Sequence, residues 1–469
     1  MSLFDREIEL IASFPAAELT GRVADLTGLT VAVNDFPVPA GSVCRIERRT
    51  GSPIPAQVIG FRERQALLMP LADPLGVARG DRVVCVASQA RVPVSEALLG
   101  RVVNGMGELS DGGPAIAAED HYPLYRTAPE ALSRPRLTQP LGTGIRALNA
   151  MLTAARGQRI GFFAGTGVGK SVLLGMIARY TEADVTVIAL VGERGREVND
   201  FLEKDLGPVG RRKSVLVVST SDESPVLRVR AGFVATAIAE YFRDRGRDVL
   251  LLMDSVTRLA MAQRQIGLAA GEPPATRGYT PSVFAMLPQL LERAGRTPRG
   301  TITGFYTVLV EGDDINEPIS DAVRGVLDGH VWLSRALANR SHYPAIGVLE
   351  SISRVMPDVV SSEHLSAARR VTRVLAAWHE VEDLVNIGAY AAGTNPRFDL
   401  AIEAKPLLDA FLQQGIDEGV SFEESQRQLL ALNHQLEQIE RRLGQEAGRR
   451  AARPSGSRSS NAMQPATAR

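Results

Sequence analysis

Apolar and polar positions follow different periods along the chain, and the changes of period divide it into five segments. At the N-terminus, Phe4, Ile8, Ile11 and Phe14 recur at helical spacing. This stripe predicts an amphipathic helix over residues 1–18. The helix precedes the first β-rich segment and has no obvious core to join, so we expect it to fold onto a partner protein.

Short β-rich runs fill residues 19–92, and Gly, Pro, Asn and Asp separate them at regular intervals. Leu29–Val33, Ser42–Ile46 and Arg82–Val86 are examples. Several short strands with frequent turn signals are typical of a small β-barrel or sandwich. A connector rich in Gly and Pro follows, with Asn104-Gly105 and Gly112-Gly113-Pro114.

This connector opens the segment 93–364, in which apolar strands alternate with helical segments from about residue 150 to 350. This alternation predicts an α/β fold with a parallel sheet flanked by helices. The predicted strands are Arg159–Ala164, Val185–Val191, Ser214–Ser219, Val249–Met253 and Thr301–Val310.

Residues 365–446 have the pattern of helices. Within them a stripe of apolar residues alternates spacings of three and four, which fits both the seam of a short coiled coil and the buried face of an ordinary helix. The stripe consists of Leu429, Leu432, Leu436, Ile439 and Leu443. Residues 447–469 are rich in Arg, Ser, Ala and Pro, and we expect a disordered tail.

Composition narrows the class of protein only a little. Basic and acidic residues balance at 53 each, which gives no indication of a polyanionic partner. No apolar run reaches the ~18 residues of a membrane span, and the charged N-terminus lacks the pattern of a secretory signal, so we expect a cytoplasmic protein. The two cysteines, Cys44 and Cys85, are far apart in sequence; we expect two small buried apolar residues, not a disulfide framework.

The chemistry of the chain is indicated first by a glycine-rich loop between a predicted strand and a predicted helix. Such a loop brings backbone N–H groups close to a phosphate chain. In this pattern the lysine contacts the β- and γ-phosphates, and the serine hydroxyl binds Mg²⁺. The loop is Ala164-Gly165-Thr166-Gly167-Val168-Gly169-Lys170-Ser171, and Val172 follows in the helix; Ala164 stands where the usual pattern has Gly.

Two carboxylates follow two other predicted strands. Asp254 ends the apolar run Val249–Met253, and Glu193 comes shortly after Val185–Val191. Both therefore lie at the carboxyl edge of the predicted sheet, where ligands bind in open α/β folds. We expect Asp254 to hold the metal through a water molecule and Glu193 to orient the water that attacks the γ-phosphate. These residues predict an ATP-hydrolysing enzyme.

The chain resembles the type III protein-export ATPases, which are relatives of the catalytic subunit of rotary ATP synthases. The resemblance covers roughly residues 20–440. It rests on the motifs AGTGVGKS, GERGREV, LLLMDSVTRLAMAQR, GEPPATRGYTPSVFAMLPQLLERAG, TVLVEGDD and HYPAIGVLESISRVM. Within the family the chain is most similar to the flagellar branch, because it carries the stretch Phe411-Leu412-Gln413-Gln414-Gly415. The virulence-injectisome branch is the alternative.

The resemblance implies a RecA-like P-loop core with an N-terminal β-barrel and a C-terminal helical domain. It also implies roles for single residues. Arg194 and Arg258 match arginines near the γ-phosphate, and Glu197 matches an acid close to the waters of the metal. Tyr343 matches an aromatic residue that packs on the adenine ring. Arg354 matches an arginine finger that reaches the nucleotide of a neighbouring subunit.

The resemblance further implies ATP and Mg²⁺ as ligands, a homo-hexamer, and a place on the cytoplasmic face of the inner-membrane export apparatus. The implied partners are a stator protein at the N-terminal helix, a central-stalk protein, the export gate, and export substrates with their chaperones. Because a finger serves its neighbour, one chain that carries both Glu193 and Arg354 completes every site only in a closed ring.

Three other functions fit the core fold less well. An RNA-translocating hexamer needs stacking aromatics in its barrel, but residues 20–92 contain only Phe36 and Phe61, without Tyr or Trp, so we expect no nucleic-acid partner. A rotary synthase subunit would divide the catalytic acid and the finger between two chains. A non-catalytic scaffold would not need Lys170, Glu193 and Asp254 together.

Overall fold

The computed structural model describes residues 18–310, 314 and 317–451. The predicted N-terminal helix and the tail beyond Ala451 lie outside the described residues. Nineteen strands are described, and in chain order β1 to β19 are Thr20–Thr27, Thr30–Asn34, Val43–Glu47, Ile54–Arg62, Gln65–Pro70, Arg82–Ala87, Arg91–Val94, Val102–Val103, Asp120–Pro123, Pro140–Leu141, Ala154–Ala155, Arg159–Ala164, Val185–Glu193, Ser214–Thr220, Asp248–Asp254, Gly295–Arg296, Thr301–Leu309, Gly329–Leu333 and Ile346–Ser353.

The described α-helices are numbered here α1 to α13. In chain order they are Arg146–Met151, Lys170–Tyr180, Gly195–Asp200, Gly207–Arg212, Pro225–Asp244, Val256–Ala270, Pro281–Leu291, Pro318–Val326, Arg335–Asn339, Met356–Val359, Ser362–Asn386, Pro396–Leu412 and Phe422–Ala451. A π-helical turn over Phe201–Leu206 joins α3 to α4. Among the described helices, none combines the length and the apolar character needed to cross a bilayer.

The first six strands close into a barrel in the order β1-β2-β5-β4-β3-β6. In β2 and β3, inward-facing side chains alternate with outward-facing ones. This alternation is what a barrel requires, because one face of each strand lines the interior and the other faces out. Cys44 is buried in the barrel as expected, but the expectation is wrong for Cys85, whose side chain is only partly buried. Cys85 lies late in β6, after the buried residues Val83 and Val84 and before the exposed Val86.

The central sheet has the order β19-β18-β12-β17-β15-β13-β14-β8, and the short strand β16 pairs with β17. The strands from β18 to β8 along this order are parallel, whereas the edge strand β19 runs antiparallel to β18. The carboxyl ends of the parallel strands therefore meet at one edge of the sheet. The phosphate loop, Glu193 and Asp254 all lie at this edge.

Helices cover both faces of the sheet, and the composition of the strands shows why. In β13, Val187 and Ala189 pack into the apolar cluster on one face, and Ile188 and Leu190 pack into the cluster on the other. A strand buried on both faces is apolar at every position, which is the continuous apolar run seen in the sequence. The predicted fold class, an α/β core with an N-terminal barrel and a C-terminal helical region, is confirmed.

The leucine stripe near the C-terminus packs within this chain. Leu429, Leu432 and Leu436 of α13 are buried in the same cluster as residues of α1, α11 and α12, and Ile439 and Leu443 pack against that cluster. Of the two interpretations, the buried face of an ordinary helix is therefore the correct one for the three leucines. Helix α13 also runs to Ala451, so the predicted start of the tail at Ala447 is too early. Four of the five residues from Ala447 to Ala451 are Ala or Arg, which favour helix.

Candidate active site

The phosphate-binding loop links the end of β12, at Ala164, to the start of α2, at Lys170. Val168 is buried and anchors the loop in the core, while Thr166 and Gly167 are exposed. Gly167 and Gly169 have φ values of 78° and 85°, which is left-handed backbone that suits glycine.

Helix α2 therefore begins directly behind an exposed, concave stretch of backbone. The N–H groups of its first turn are not used within the helix, and they and the helix dipole attract an anion at this position. Ser171 and Val172, the next residues of the helix, are exposed. The exposed residues Thr166, Gly167, Ser171 and Val172 therefore surround the start of α2, where a phosphate chain can bind.

Two carboxylates face Lys170 from the neighbouring strands. Glu193 is the last residue of β13, and Asp254 is the last residue of β15. The Lys170 ammonium forms an ion pair with Asp254, and its Nζ lies 3.9 Å from Oε1 of Glu193. Both acids are buried. Both carboxylates lie at the carboxyl edge of the sheet, where the strand pattern places them, and both face the loop lysine.

Arg258 lies in the first turn of α6 and holds Glu193 from the other side. Its Nη2 is 3.2 Å from Oε2 of Glu193, and its Nη1 donates a hydrogen bond to the carbonyl of Gly192. Ser255 caps α6 by accepting a hydrogen bond from the backbone N–H of Arg258. The cap fixes the first turn, and so it directs the guanidinium toward β13.

The pKa of Glu193 is raised to about 7, mainly by burial and then by a hydrogen bond with Glu197 and the charge of Asp254. Lys170 and Arg258 act in the opposite direction by favouring the charged form. The same hydrogen bond lowers the pKa of the more exposed Glu197. A carboxylate whose pKa lies near neutrality is matched to accepting a proton from water at physiological pH.

Arg194 is not brought to the phosphate loop. It occupies the N-cap position of α3, its side chain is 79% exposed, and its Nη1 lies 3.4 Å from Oε1 of Glu197. The two arginines that the resemblance places near the γ-phosphate therefore differ in this structure. Arg258 contacts Glu193, whereas Arg194 pairs with Glu197.

Tyr343 lies beside the phosphate loop. A Cβ atom added to Gly169 would be 3.3 Å from Cε1 of Tyr343, so the ring packs directly over this glycine. The tyrosine side chain is partly exposed, and its carbonyl accepts a hydrogen bond of 3.0 Å from the backbone N–H of Gln414. A planar base can stack on an exposed aromatic ring beside the phosphate loop.

Arg354 lies at the amino ends of the parallel strands, opposite the carboxyl ends that carry the phosphate loop. It follows β19 directly, and its backbone N–H donates a hydrogen bond to the carbonyl of Asp328. The backbone N–H of Asp328 in turn donates to the carbonyl of Arg159, at the start of β12. The phosphate loop follows the other end of β12. At a rise of about 3.3 Å per residue, the length of β12 separates the two positions by roughly 16 Å. Arg354 is exposed there.

Two further residues contact the site and were not found from the sequence. The hydroxyl of Thr307 in β17 donates a hydrogen bond of 2.7 Å to Oδ1 of Asp254. Nη1 of Arg335 donates to the carbonyl of Thr166 at 3.3 Å. Thr307 could have been noticed, because it is a polar residue near the carboxyl end of a predicted strand. No sequence signal pointed to Arg335.

Comparison with known proteins gives the family. The model of the ATP synthase alpha/beta family nucleotide-binding domain matches residues 144–353, and the model of the T3SS EscN ATPase C-terminal domain matches residues 360–431. The flagellum-specific ATP synthase of Bacillus subtilis (strain 168) is 50% identical over 414 residues, which covers 88% of this chain and 94% of that protein. The chain belongs to the type III export ATPase family.

Both branches of the type III export ATPases are similar to this chain. The type 3 secretion system ATPase of Xanthomonas euvesicatoria is 48% identical, with coverage of 88% and 94%. The assembled ATPase EscN of enteropathogenic E. coli has a TM-score of 0.84 at 44% identity, and covers 88% of this chain and 100% of its own. The same EscN in complex with its central stalk EscO has a TM-score of 0.82 at 43% identity, with the same coverage.

As a type III export ATPase, the chain binds a nucleotide and hydrolyses ATP. We expect Lys170→Ala to weaken ATP binding by about 10- to 100-fold, because it removes a charge-assisted contact to the phosphates. Lys204→Ala is the matched control, since Lys204 is exposed and pairs with Asp200 at 2.6 Å, away from the loop. Equilibrium binding of a fluorescent ATP analogue measures both. Unchanged affinity in Lys170→Ala would refute the role of the loop.

Proposed function

We propose that the chain forms a homo-hexameric ring that hydrolyses ATP with Mg²⁺ at the interfaces between subunits and thereby energises protein export for flagellum assembly. The observation that carries the proposal is the position of Arg354. This arginine and the phosphate loop belong to one chain but lie at opposite edges of its sheet, so neither can serve the other within a subunit. A second copy is the nearest source of the missing finger.

The edge strand β19 supports this proposal. It pairs with β18 on one side only, and Leu349 and Ile352 are exposed on it. An uncovered edge strand with exposed apolar residues is unusual in a protein that works as a monomer. A neighbouring subunit that covers β19 would bring Arg354 into the interface.

The donor set of the site fits Mg²⁺, which is usually bound by one or two protein oxygens together with substrate phosphates. The Ser171 hydroxyl and the Asp254 carboxylate are such oxygens. Glu197 is connected to the site through its hydrogen bond with Glu193. When bound, Mg²⁺ neutralises charge on the phosphates. The chain's own residues account for the remaining steps.

In the proposed reaction, each of these residues has one role. The loop N–H groups and Lys170 bind the phosphates, and Glu193 orients a water molecule and accepts its proton. The water oxygen bonds to the γ-phosphorus as the bond from that phosphorus to the ADP oxygen breaks. Arg258 holds the Glu193 carboxylate in place, and Arg354 of the neighbouring subunit stabilises charge in the transition state. Tyr343 stacks on the adenine.

Turnover per subunit should therefore depend on protein concentration. Isolated subunits lack the finger, so we expect their specific activity to be far below that of the assembled ring and to rise steeply as assembly proceeds. Steady-state ATP hydrolysis measured across a dilution series, with light scattering at each concentration, checks this. Specific activity that stays constant while the mass falls to that of a monomer would contradict the ring.

The flagellar branch rests on residues 411–415 of the C-terminal helices. In the structure, Gln414 of this stretch accepts a hydrogen bond from the backbone N–H of Arg146 at 2.7 Å and donates to the carbonyl of Gly144 at 2.8 Å. The stretch therefore joins the C-terminal helices to the ATPase core next to Tyr343. The test is to express this chain in a strain that lacks its flagellar export ATPase and in a strain that lacks its injectisome ATPase. Restored swimming would support the flagellar branch, and restored injectisome secretion without swimming would refute it.

The proposed partners are the stator protein at the N-terminal helix, a central stalk like that of EscN, the export gate, and substrates with chaperones. We expect deletion of residues 2–18 to abolish stator binding and to leave the melting temperature unchanged, because the apolar stripe precedes the barrel. Glu9→Ala, on a polar position of the same segment, is the control. Full capture of the stator by the truncated chain would rule out the assignment.

A further inference from the structure

The two cysteines of the chain lie directly opposite each other in the barrel. Cys44 of β3 and Cys85 of β6 are paired in the antiparallel register of these strands, next to a register shift between Val43 and Cys44. Cys44 belongs to the buried apolar cluster of the barrel, and Cys85 packs against that cluster. Both side chains therefore point to the same side of the strand pair, although 41 positions separate them in the sequence.

The hydrogen-bond pattern places the pair at the closer of the two cross-strand spacings. The backbone N–H of Cys85 donates to the carbonyl of Leu19 at 2.9 Å, so it points toward β1 and away from β3. Opposed residues that are not hydrogen-bonded to each other have Cα atoms about 4.5 Å apart. A disulfide needs Cα atoms about 4.4–6.8 Å apart. The strand register thus gives the two cysteines a Cα spacing that a disulfide can span.

The two thiols differ in access to solvent. Cys44 is 1% exposed, and burial raises the pKa of its thiol to about 12, with a smaller contribution from Cys85. Cys85 is partly exposed on the barrel. Both are free thiols. An oxidant from solvent therefore reaches Cys85 first and finds Cys44 behind it.

We propose that Cys44 and Cys85 form a reversible disulfide when the protein meets a peroxide. The Cys85 sulfur attacks one peroxide oxygen, the O–O bond breaks, and the products are a sulfenic acid and water. The Cys44 sulfur then attacks the Cys85 sulfur, the S–O bond breaks, and a second water leaves with the Cys44 proton. Two thiols lose two electrons in total, and the peroxide gains them. A small dithiol reverses the reaction by exchange.

The disulfide would join β3 to β6 beside Leu19, where the chain enters the barrel from its N-terminal segment. It closes a long loop of chain, and a cross-link of this kind stabilises a fold mainly by restricting the unfolded state. We therefore expect oxidation to raise the melting temperature of the chain by several degrees, and reduction to reverse the change. The catalytic residues lie in another part of the chain, so ATP turnover of the oxidised protein should be retained.

The test uses the full chain treated with hydrogen peroxide under native conditions, followed by thiol counting in denaturant and peptide mapping without reductant. We expect both thiols to disappear together, one peptide pair to contain Cys44 linked to Cys85, and a dithiol to restore both thiols. In Cys44→Ala, Cys85 should instead proceed to sulfinic acid, and in Cys85→Ser, Cys44 should stay reduced. A folded wild-type protein in which Cys85 becomes sulfinic acid while Cys44 stays free would overturn the proposal, as would disulfides only between chains.

Discussion

Glu193→Gln should bind ATP with nearly unchanged affinity and lose about 10²- to 10⁴-fold in turnover, which is the usual contribution of a positioned general base. The amide has almost the same shape as the carboxylate but cannot accept the proton of the attacking water. Because Lys170 contacts Asp254 as well as Glu193, the phosphate-binding side of the site keeps its own ion pair in the variant.

The control for this variant is Glu203→Gln, since Glu203 is exposed on the π-helical turn and the substitution removes the same charge there. We expect its turnover to equal that of the wild type. Single-turnover hydrolysis and nucleotide binding, measured on the same preparations, separate the chemical step from affinity. If Glu193→Gln hydrolyses ATP at the wild-type rate, another group orients the water.

Arg354→Ala should lose about 10³- to 10⁵-fold in turnover, the range found for arginine fingers, while its own nucleotide site stays intact. Arg354 is exposed, and its described contact in the chain is a backbone hydrogen bond to Asp328, which alanine keeps. The loss should therefore come without loss of folding. Turnover and ATP affinity, measured on assembled protein, check both parts of this expectation.

Arg340→Ala is the matched control for the finger. Arg340 is also exposed, and it pairs with Glu382. It follows α9 and is far from the end of β19 where Arg354 lies. A comparable loss of turnover in Arg340→Ala would show that general surface damage, and not the finger, explains the effect.

The strands of the core could be predicted because parallel strands buried on both faces are apolar at every position. The positions of Glu193 and Asp254 followed from the same patterns, since a residue that ends such a strand lies at the carboxyl edge of the sheet. The directions of side chains could not be predicted in this way. Arg194 sits at an N-cap and points outward, whereas Arg258 sits in a capped first turn and points inward. The two look equivalent in sequence.

Two other features depend on contacts between distant parts of the chain. The spacing of Leu429, Leu432 and Leu436 is the same for a coiled coil and for a buried helix, and only the packing partners decide between them. The pairing of Cys44 with Cys85 depends on the register of β3 and β6, which local sequence does not reveal. Features that depend on a single strand could thus be predicted from the sequence, whereas features that depend on packing between elements could not.

In the proposed ring, Glu193 and Arg354 act on the same ATP from different subunits. The most direct measurement is the turnover of mixed rings made from Glu193→Gln and Arg354→Ala, with mixed assembly verified by mass. Each variant alone is expected to be nearly inactive. In mixed rings, some interfaces join an intact Glu193 to an intact Arg354, so activity should rise well above that of either variant, to a fraction of the wild type. Mixed rings that remain as inactive as the separate variants would contradict the account.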